Sequence, residues 1–459
     1  MKEKEESRKI LIAGTGKSGI AAARLVLRLG GSVLLYNSDE NTDREAVLKE
    51  VGRPRRHSTA EMICGKLGED ALKDIQLAVL SPGIPLDKDF VKLLDRKKIP
   101  VIGEMELAYQ ASRGMLLAIT GTNGKTTTTA LTGEILKNYY EDVHVGGNIG
   151  LPFSTEADKT TEKSVSVVEV SSFMLETIYD FHPHISAILN ITPDHLDRHK
   201  TMENYIRCKE AITLNQTEED FVVLNYDDEV LRKFGQSEKL KPQAVWFSSA
   251  AEPAGDGLFL KDSYIYLKDK GTVTAVVDVH DLQLLGTHNY ENVMAAAAMG
   301  IKAGVPLTKI VESLKKFKAV EHRIEFVRER AGVKYYNDSK GTNTDAAIKA
   351  LLSMPGPVLL IGGGYDKHAE FDDWVKLFPG RVKKLVLIGE TRDQIEACCK
   401  KHGYREISFA DDMEEAVRVC ASYADEGDYV LLSPACASFD MFKGYEERGQ
   451  IFKKYVNEL

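Results

Sequence analysis

The chain has little of what builds a secreted scaffold, a membrane span or a nucleic-acid surface. Its six cysteines (Cys64, Cys208, Cys398, Cys399, Cys420 and Cys436) include no CxxC pair and are too few for a disulfide framework in 459 residues. They read as bland, partly buried thiols in a reducing cytoplasm. No stretch reaches the ~18 uninterrupted apolar residues of a membrane helix, so no membrane insertion is expected. The opening MKEKEESRKILIAG is charged and lacks the apolar core of a signal peptide, which again points to the cytoplasm. Positive charge is not in excess. The 60 Lys and Arg against 69 Asp and Glu give a net charge of −9, spread along the chain, which excludes a basic stripe for a nucleic-acid backbone. A small acidic substrate stays open, because one pocket can be positive within an acidic protein. There is no internal repeat and no low-complexity tract.

What is present is an alternation of short β-branched runs with helical patterns, in three blocks, and the length predicts about three domains. Residues 1–106 hold KILIAG (9–14), SVLLYN (32–37), LAVLSPG (77–83) and PVIGE (100–104). Residues 107–319 hold MLLAITG (115–121), SVSVVEVSS (164–172), ISAILNIT (185–192) and DFVVLNYDD (220–228). Residues 320–459 hold VKYYNDS (333–339), PVLLIGGG (357–364), KLVLIGE (384–390) and DYVLLSPA (428–435). Strands alternating with helices imply mostly parallel sheets. The expectation is an α/β chain with Rossmann-like domains at both ends and a P-loop ATPase-like domain between them. Ligands of such sheets bind beyond the carboxyl ends of the strands, so the residues there are the candidates.

ITGTNGKTT (119–127) follows the run MLLAIT and opens the helical pattern TTTTALTGEILKN. This is the context a phosphate loop requires, although Ile119 stands where G-x-x-x-x-G-K-[ST] begins with glycine. Gly121 and Gly124 let backbone amides approach oxyanions, Lys125 would neutralise phosphate charge, and Thr126 Oγ would ligate Mg²⁺. A carboxylate for the metal is expected nearby. Glu169 is a lone acid inside SVSVVEVSS, where an unpaired charge is costly. TPDHLDRH then delivers Asp194, His195, Asp197 and His199, and a single histidine after a strand is more often a satisfied polar group than a ligand. Lys209 lies one turn beyond Tyr205 on the same helix face and by itself reads as a solvated lysine. Asn289 and Asn292 in GTHNYENVMAAAAMG (286–300) either cap that helix or read a purine edge.

GTGKSG (14–19) opens the first helix, and three readings stay open: a nucleotide-sugar diphosphate, a dinucleotide, or a structural turn. A dinucleotide asks for an acid after the second strand, where Asn37 and Ser38 stand. In the third block EHR (321–323), NDSKGTN (337–343), GGGYDKHAEF (362–371) and SPACASFDMFKGYEERG (433–449) would bring Arg323, Lys340 and Lys367 to one sheet mouth. A substrate with carboxylates suits them, ordinary surface lysines being the bland alternative.

Taken in order, ITGTNGKTT, EVSSF (169–173), TPDHLDRH (192–199), Lys209, HNYEN (288–292) and EHR resemble the Mur ligase family of ATP-dependent amide-forming enzymes. NDSKGTN and SPACASFDMFKGYEERG look like the branch that adds D-glutamate to UDP-N-acetylmuramoyl-L-alanine in peptidoglycan synthesis, on which cell shape and division depend. The resemblance implies a monomer with a UDP-substrate domain (1–106), an ATP-binding domain (107–319) and an amino-acid-binding domain (320–459), using ATP with one or two Mg²⁺ ions. Gly14, Thr15, Gly16, Lys17, Ser18, Asn37, Ser38, Ser81, Pro82, Gly83 and Asn148 would hold the UDP-substrate. Gly121, Thr122, Asn123, Gly124, Lys125, Thr126, Thr127, Asn292, Arg323 and Asp338 would hold ATP. The resemblance surrounds magnesium with Thr126, Glu169, His195 and Lys209, the last as the lysine this family carbamylates. It makes Lys125, His195 and Lys209 catalytic and lines the D-glutamate pocket with Lys340, Thr342, Lys367, Ser438, Phe439 and Tyr445. A folylpolyglutamate-synthetase-like or cyanophycin-type ligase would not need GTGKSG in front, and a nucleotide switch would leave NDSKGTN unexplained.

Overall fold

The computed structural model describes residues 9–54, 57–366 and 369–459. Lys367 therefore lies outside the described residues. Three sheets follow one another along the chain, and their central parallel strands are near-continuous apolar runs buried on both faces, as parallel strands covered by helices must be, whereas the strands 264–269, 272–278 and 325–330 at the sheet edges are partly exposed.

The first sheet has five parallel strands in the spatial order 60–64, 32–37, 9–13, 75–80, 101–103. Asn37–Ser38, GTGKSG and SPG thus leave three adjacent strands at their carboxyl ends. The second has nine strands in the order 272–278, 264–269, 257–261, 243–248, 221–225, 185–188, 115–120, 165–169, 143–147. Its phosphate-loop strand lies between the strand ending in Glu169 and the one leading to TPDHLDRH. AEPAGDG (251–257) is, as expected, a loop between two strands of this sheet. The third has six strands in the order 325–330, 333–337, 429–432, 358–362, 382–387, 407–409. The run 325–330 adds an antiparallel edge, so NDSKGTN, SPACASF and GGGYD leave neighbouring parallel strands.

By compactness the chain forms two units, residues 1–277 with 291–314, and residues 278–290 with 315–459. The first two sheets share the larger unit. One apolar cluster runs through both, from Ile12 and Leu35 to Phe153, Phe181 and Ile188. Polar staples reinforce it. Arg28 makes a two-pronged bond to Asp158, Nε to Oδ2 and Nη2 to Oδ1, both 2.7 Å, and buried Glu106 accepts the amides of Tyr179, Asp180 and Phe181 at 2.8–3.0 Å. All six cysteines are free, four of them buried.

Candidate active site

The phosphate loop takes its shape from two glycines. Gly121 has φ 150° and Gly124 φ 85°, and the helix Lys125–Lys137 starts directly after them. A side chain on Gly124 would collide with Asn292 Oδ1, 2.2 Å from the place of its Cβ, so only glycine lets Asn292 reach the loop. Asn292 Oδ1 also accepts from Thr128 Oγ1 at 3.2 Å, which joins HNYEN to the phosphate-loop helix. Asn289, inside the first turn of the helix Thr287–Lys302, donates its Nδ2 to Leu285 O at 2.7 Å. The loop is held from the other side by Asn190, which the sequence reading passed over. Its Oδ1 accepts from Asn123 N at 2.8 Å and its Nδ2 donates to Asn123 O at 3.1 Å.

Two lysines converge on one carbonyl. Lys125 Nζ donates to Gly121 O at 2.8 Å and Lys209 Nζ to the same oxygen at 2.7 Å. Lys209 is only 1% exposed, which corrects the expectation of a solvated side chain. The helix Met202–Glu210 turns Tyr205 and Lys209 inward together, Tyr205 Oη lies 3.0 Å from Thr122 Oγ1, and the ammonium sits 4.8 Å from the Tyr205 ring centre. Burial, and secondly the charge of Lys125, hold the Lys209 amine well below the usual lysine range. Burial thus favours the uncharged amine over the ammonium beside this loop.

Parallel pairing sets Ile119 opposite Glu169, so the carboxylate stands at the level where the loop begins. Glu169 is 2% exposed, its Oε1 accepts from Asn148 Nδ2 at 2.7 Å, and its Oε2 is buried with no protein partner. A buried carboxylate oxygen left open at the level where the loop begins fits Mg²⁺, a hard cation that takes oxygen ligands. Asn148, which the expectation groups with the UDP-substrate contacts, is thereby joined to Glu169. His195 is exposed on its loop in the left-handed region, φ 51°, 4.9 Å from the Phe173 ring. His199 is buried instead, its Nε2 2.9 Å from Ser172 Oγ, and burial lowers its pKa.

Arg198 is a second residue that the sequence reading missed. Its Nη2 donates to Ile84 O at 3.0 Å and pairs with Glu176, while the guanidinium lies 4.8 Å from the Phe173 ring. It fastens the segment after SPG to the TPDHLDRH turn, along a cleft of about 950 Å³ lined by Gly83, Lys88, Phe173, Arg198 and Lys200. In the first sheet a Cβ on Gly14 (φ 96°) would lie 2.5 Å from Ser81 Oγ, and that hydroxyl is buried without a partner. Asn37 Nδ2 donates to Thr15 Oγ1 at 2.7 Å. The GTGKSG helix, Lys17–Arg28, begins at Gly16 with no side-chain cap on its first amides.

In the smaller unit Asp338 follows its strand and is buried, its Oδ2 accepting from Ser433 Oγ at 2.8 Å. Arg323 has a buried Nε without a partner. Lys340 lies 5.4 Å from the Tyr445 ring centre, Ser438 is buried and Phe439 exposed against Tyr365. Burial pushes Asp338 up to about 7 against the pull of Ser433 and Arg323. An acid raised in the folded state keeps its proton while the unfolded chain loses its own, so stability falls as pH rises from about 4 to about 7. Thermal melts of the nucleotide-free protein between pH 5 and pH 8 should show this fall, and D338N should flatten it. Parallel melting curves for the two proteins would refute the buried-acid account.

Sequence profiles place the same segments in one family. The profile "Mur ligase MurD-like, N-terminal domain" matches residues 8–103, "Mur ligase middle domain" residues 119–300, and "Mur ligase, glutamate ligase domain" residues 322–436. The "UDP-N-acetylmuramoylalanine--D-glutamate ligase" of Lachnoclostridium phytofermentans is 50% identical over 452 residues, 98% of each chain. That of Thermoanaerobacter sp. is 47% identical over 456 residues, 99% of each chain. Among solved structures, the UDP-N-acetylmuramate-alanine ligase MurC of Thermotoga maritima shares the fold with TM-score 0.60 at 19% identity, covering 98% of this chain and 99% of its own. With three profiles in chain order and relatives about half identical along nearly its full length, the chain belongs to the Mur ligase family.

Proposed function

We infer that the protein is an ATP-dependent ligase that joins D-glutamate to the alanyl carboxylate of UDP-N-acetylmuramoyl-L-alanine, a step of peptidoglycan precursor synthesis. The observation that carries the ATP chemistry is the meeting of Lys125 and Lys209 at Gly121 O, with the open oxygen of Glu169 at the same strand level. The acceptor follows from the likeness to D-glutamate ligases over nearly the whole chain. Among the described residues no helix is long and apolar enough to cross a membrane, and a monomer working in the cytoplasm, where ATP and UDP-sugars are made, suits the reading.

The substrate carboxylate attacks the γ-phosphorus of ATP, ADP leaves, and an acyl phosphate remains. The amine of D-glutamate then attacks the acyl carbon, loses a proton, and expels phosphate as the amide forms. A carboxylate is a poor acylating agent, and phosphorylation supplies its leaving group. The chain's part is positioning and charge neutralisation. Lys125 and the amides of residues 121–127 would cradle the β- and γ-phosphates, with Asn292 against the same loop. Thr126, Glu169, His195 and a carbamylated Lys209 would hold one or two Mg²⁺ ions, which supply charge screening for the triphosphate. The GTGKSG turn, Asn37, Ser38 and the open Ser81 hydroxyl would take the uridine diphosphate, with domain limits near residues 106 and 319. The roles of Arg323 and Asp338 toward nucleotide, and of Lys340, Thr342, Lys367, Ser438, Phe439 and Tyr445 toward D-glutamate, rest on family likeness.

Phosphate release with UDP-N-acetylmuramoyl-L-alanine and ATP tests this reading. It should require D-glutamate and fail with L-alanine or L-lysine, and folate should not replace the UDP-substrate. Turnover with another amino acid alone would overturn the D-glutamate assignment and leave the family intact.

A further inference from the structure

Arg448 sits at the start of the C-terminal helix Tyr445–Glu458 and is 0% exposed. Its bonds go to segments far apart in sequence. Nε donates to Ser339 Oγ at 2.9 Å and Nη2 to Ser339 O at 2.7 Å, while Nη1 donates to Cys436 O and Ala437 O, both at 3.1 Å. A third loop closes on the same point. Ala437 O also accepts from Tyr365 N at 3.0 Å, and a Cβ on Gly364 would come within 2.2 Å of that oxygen and 3.3 Å of Arg448 Nη1.

Burying a guanidinium is costly unless it is fully hydrogen-bonded, and it is usually matched by a carboxylate. Arg448 makes no ion pair among the described residues. Asp338 and Asp440 act on it only through space, and burial brings its pKa down to about 10. A hydrophobic side chain would serve mere stability better. What only a planar five-donor fork can do is hold two loops at a set spacing. The residues next to its acceptors are Lys340, after Ser339, and Ser438, after Ala437, two of those assigned above to the amino-acid substrate.

We propose that Arg448 is a positioning residue that sets the spacing between Lys340 and Ser438 and thereby the fit of the amino-acid substrate. The proposal rests on the D-glutamate reading above, and it acts through the loops, with no contact between Arg448 and substrate required. Nothing in the pattern EERG marks Arg448 as special, because only the fold brings Ser339 and Ala437 to it.

The test is steady-state kinetics on the full chain with R448K, R448M and S339A, each checked by thermal melting. R448K keeps the charge and loses the fork, so the KM for D-glutamate should rise roughly ten-fold or more, the value of one or two buried hydrogen bonds. The KM values for ATP and the UDP-substrate should stay within about two-fold, because only the amino-acid loops are loosened. S339A, which removes one acceptor, should give a smaller rise in the same constant. If R448K keeps the wild-type KM for D-glutamate, or if all three KM values and kcat change together with the melting temperature, the proposal fails. If R448M does not fold, R448K and S339A still decide. Should the wild type use another amino acid, the D-glutamate reading falls, and the KM for that amino acid carries the same comparison.

Discussion

Lys125→Ala should lower phosphate release by roughly 10²–10³-fold or more while leaving the binding of UDP-N-acetylmuramoyl-L-alanine unchanged. Its ammonium donates to the Gly121 and Thr122 carbonyls at 2.8 and 2.9 Å, within the loop proposed to hold the β- and γ-phosphates, whose charge it would neutralise. Lys209, the other lysine at the Gly121 carbonyl, is buried, and burial holds its amine well below the usual lysine range, so it is a poor substitute for the Lys125 charge. The proposed uridine site belongs to a different sheet, at the carboxyl ends of strands 9–13, 32–37 and 75–80. Titration calorimetry with the UDP-substrate alongside the phosphate assay separates the two effects. Loss of both would mean general damage, and surviving turnover would show that ITGTNGKTT is not the ATP loop.

Lys209→Ala should be about as severe, and Lys209→Arg should fail to restore activity. Burial favours the unprotonated amine, which would add carbon dioxide, forming a carbamate and releasing one proton, so that a side chain that is ordinarily cationic would become an oxygen ligand. The carbamate's charge would be matched by Lys125, which shares the Gly121 carbonyl, and by Mg²⁺. Arginine cannot be deprotonated and cannot carry the adduct. ¹³C-bicarbonate should label the wild type in a carbamate NMR signal that K209A lacks. Full activity in K209R would remove the metal role and leave only packing against Tyr205.

Much of this site was legible from local pattern. The phosphate loop needed only its flanking strand, its two glycines and the helix after it, and Glu169 stood out because an acid inside a β-branched run must meet something. The three groups of strand endings also followed from pattern, because parallel strands present their loops at one edge. Lys209 was misread when taken alone. A lysine on an amphipathic helix is solvated unless another element covers it, and what covers it is Gly121, 88 residues away. Asn190, Arg198 and Arg448 were overlooked for the same reason, since each acts on backbone carbonyls or amides that carry no sequence signature.

From the chain alone came the α/β class, the ATP loop, the family and, through NDSKGTN and SPACASF, the amino-acid branch, because residue types at short spacing carry those signals. The spatial order of strands, the open oxygen of Glu169, the burial of Lys209 and the fork of Arg448 came from folding. Burial and long-range hydrogen bonding set those properties, and both depend on which distant segments become neighbours.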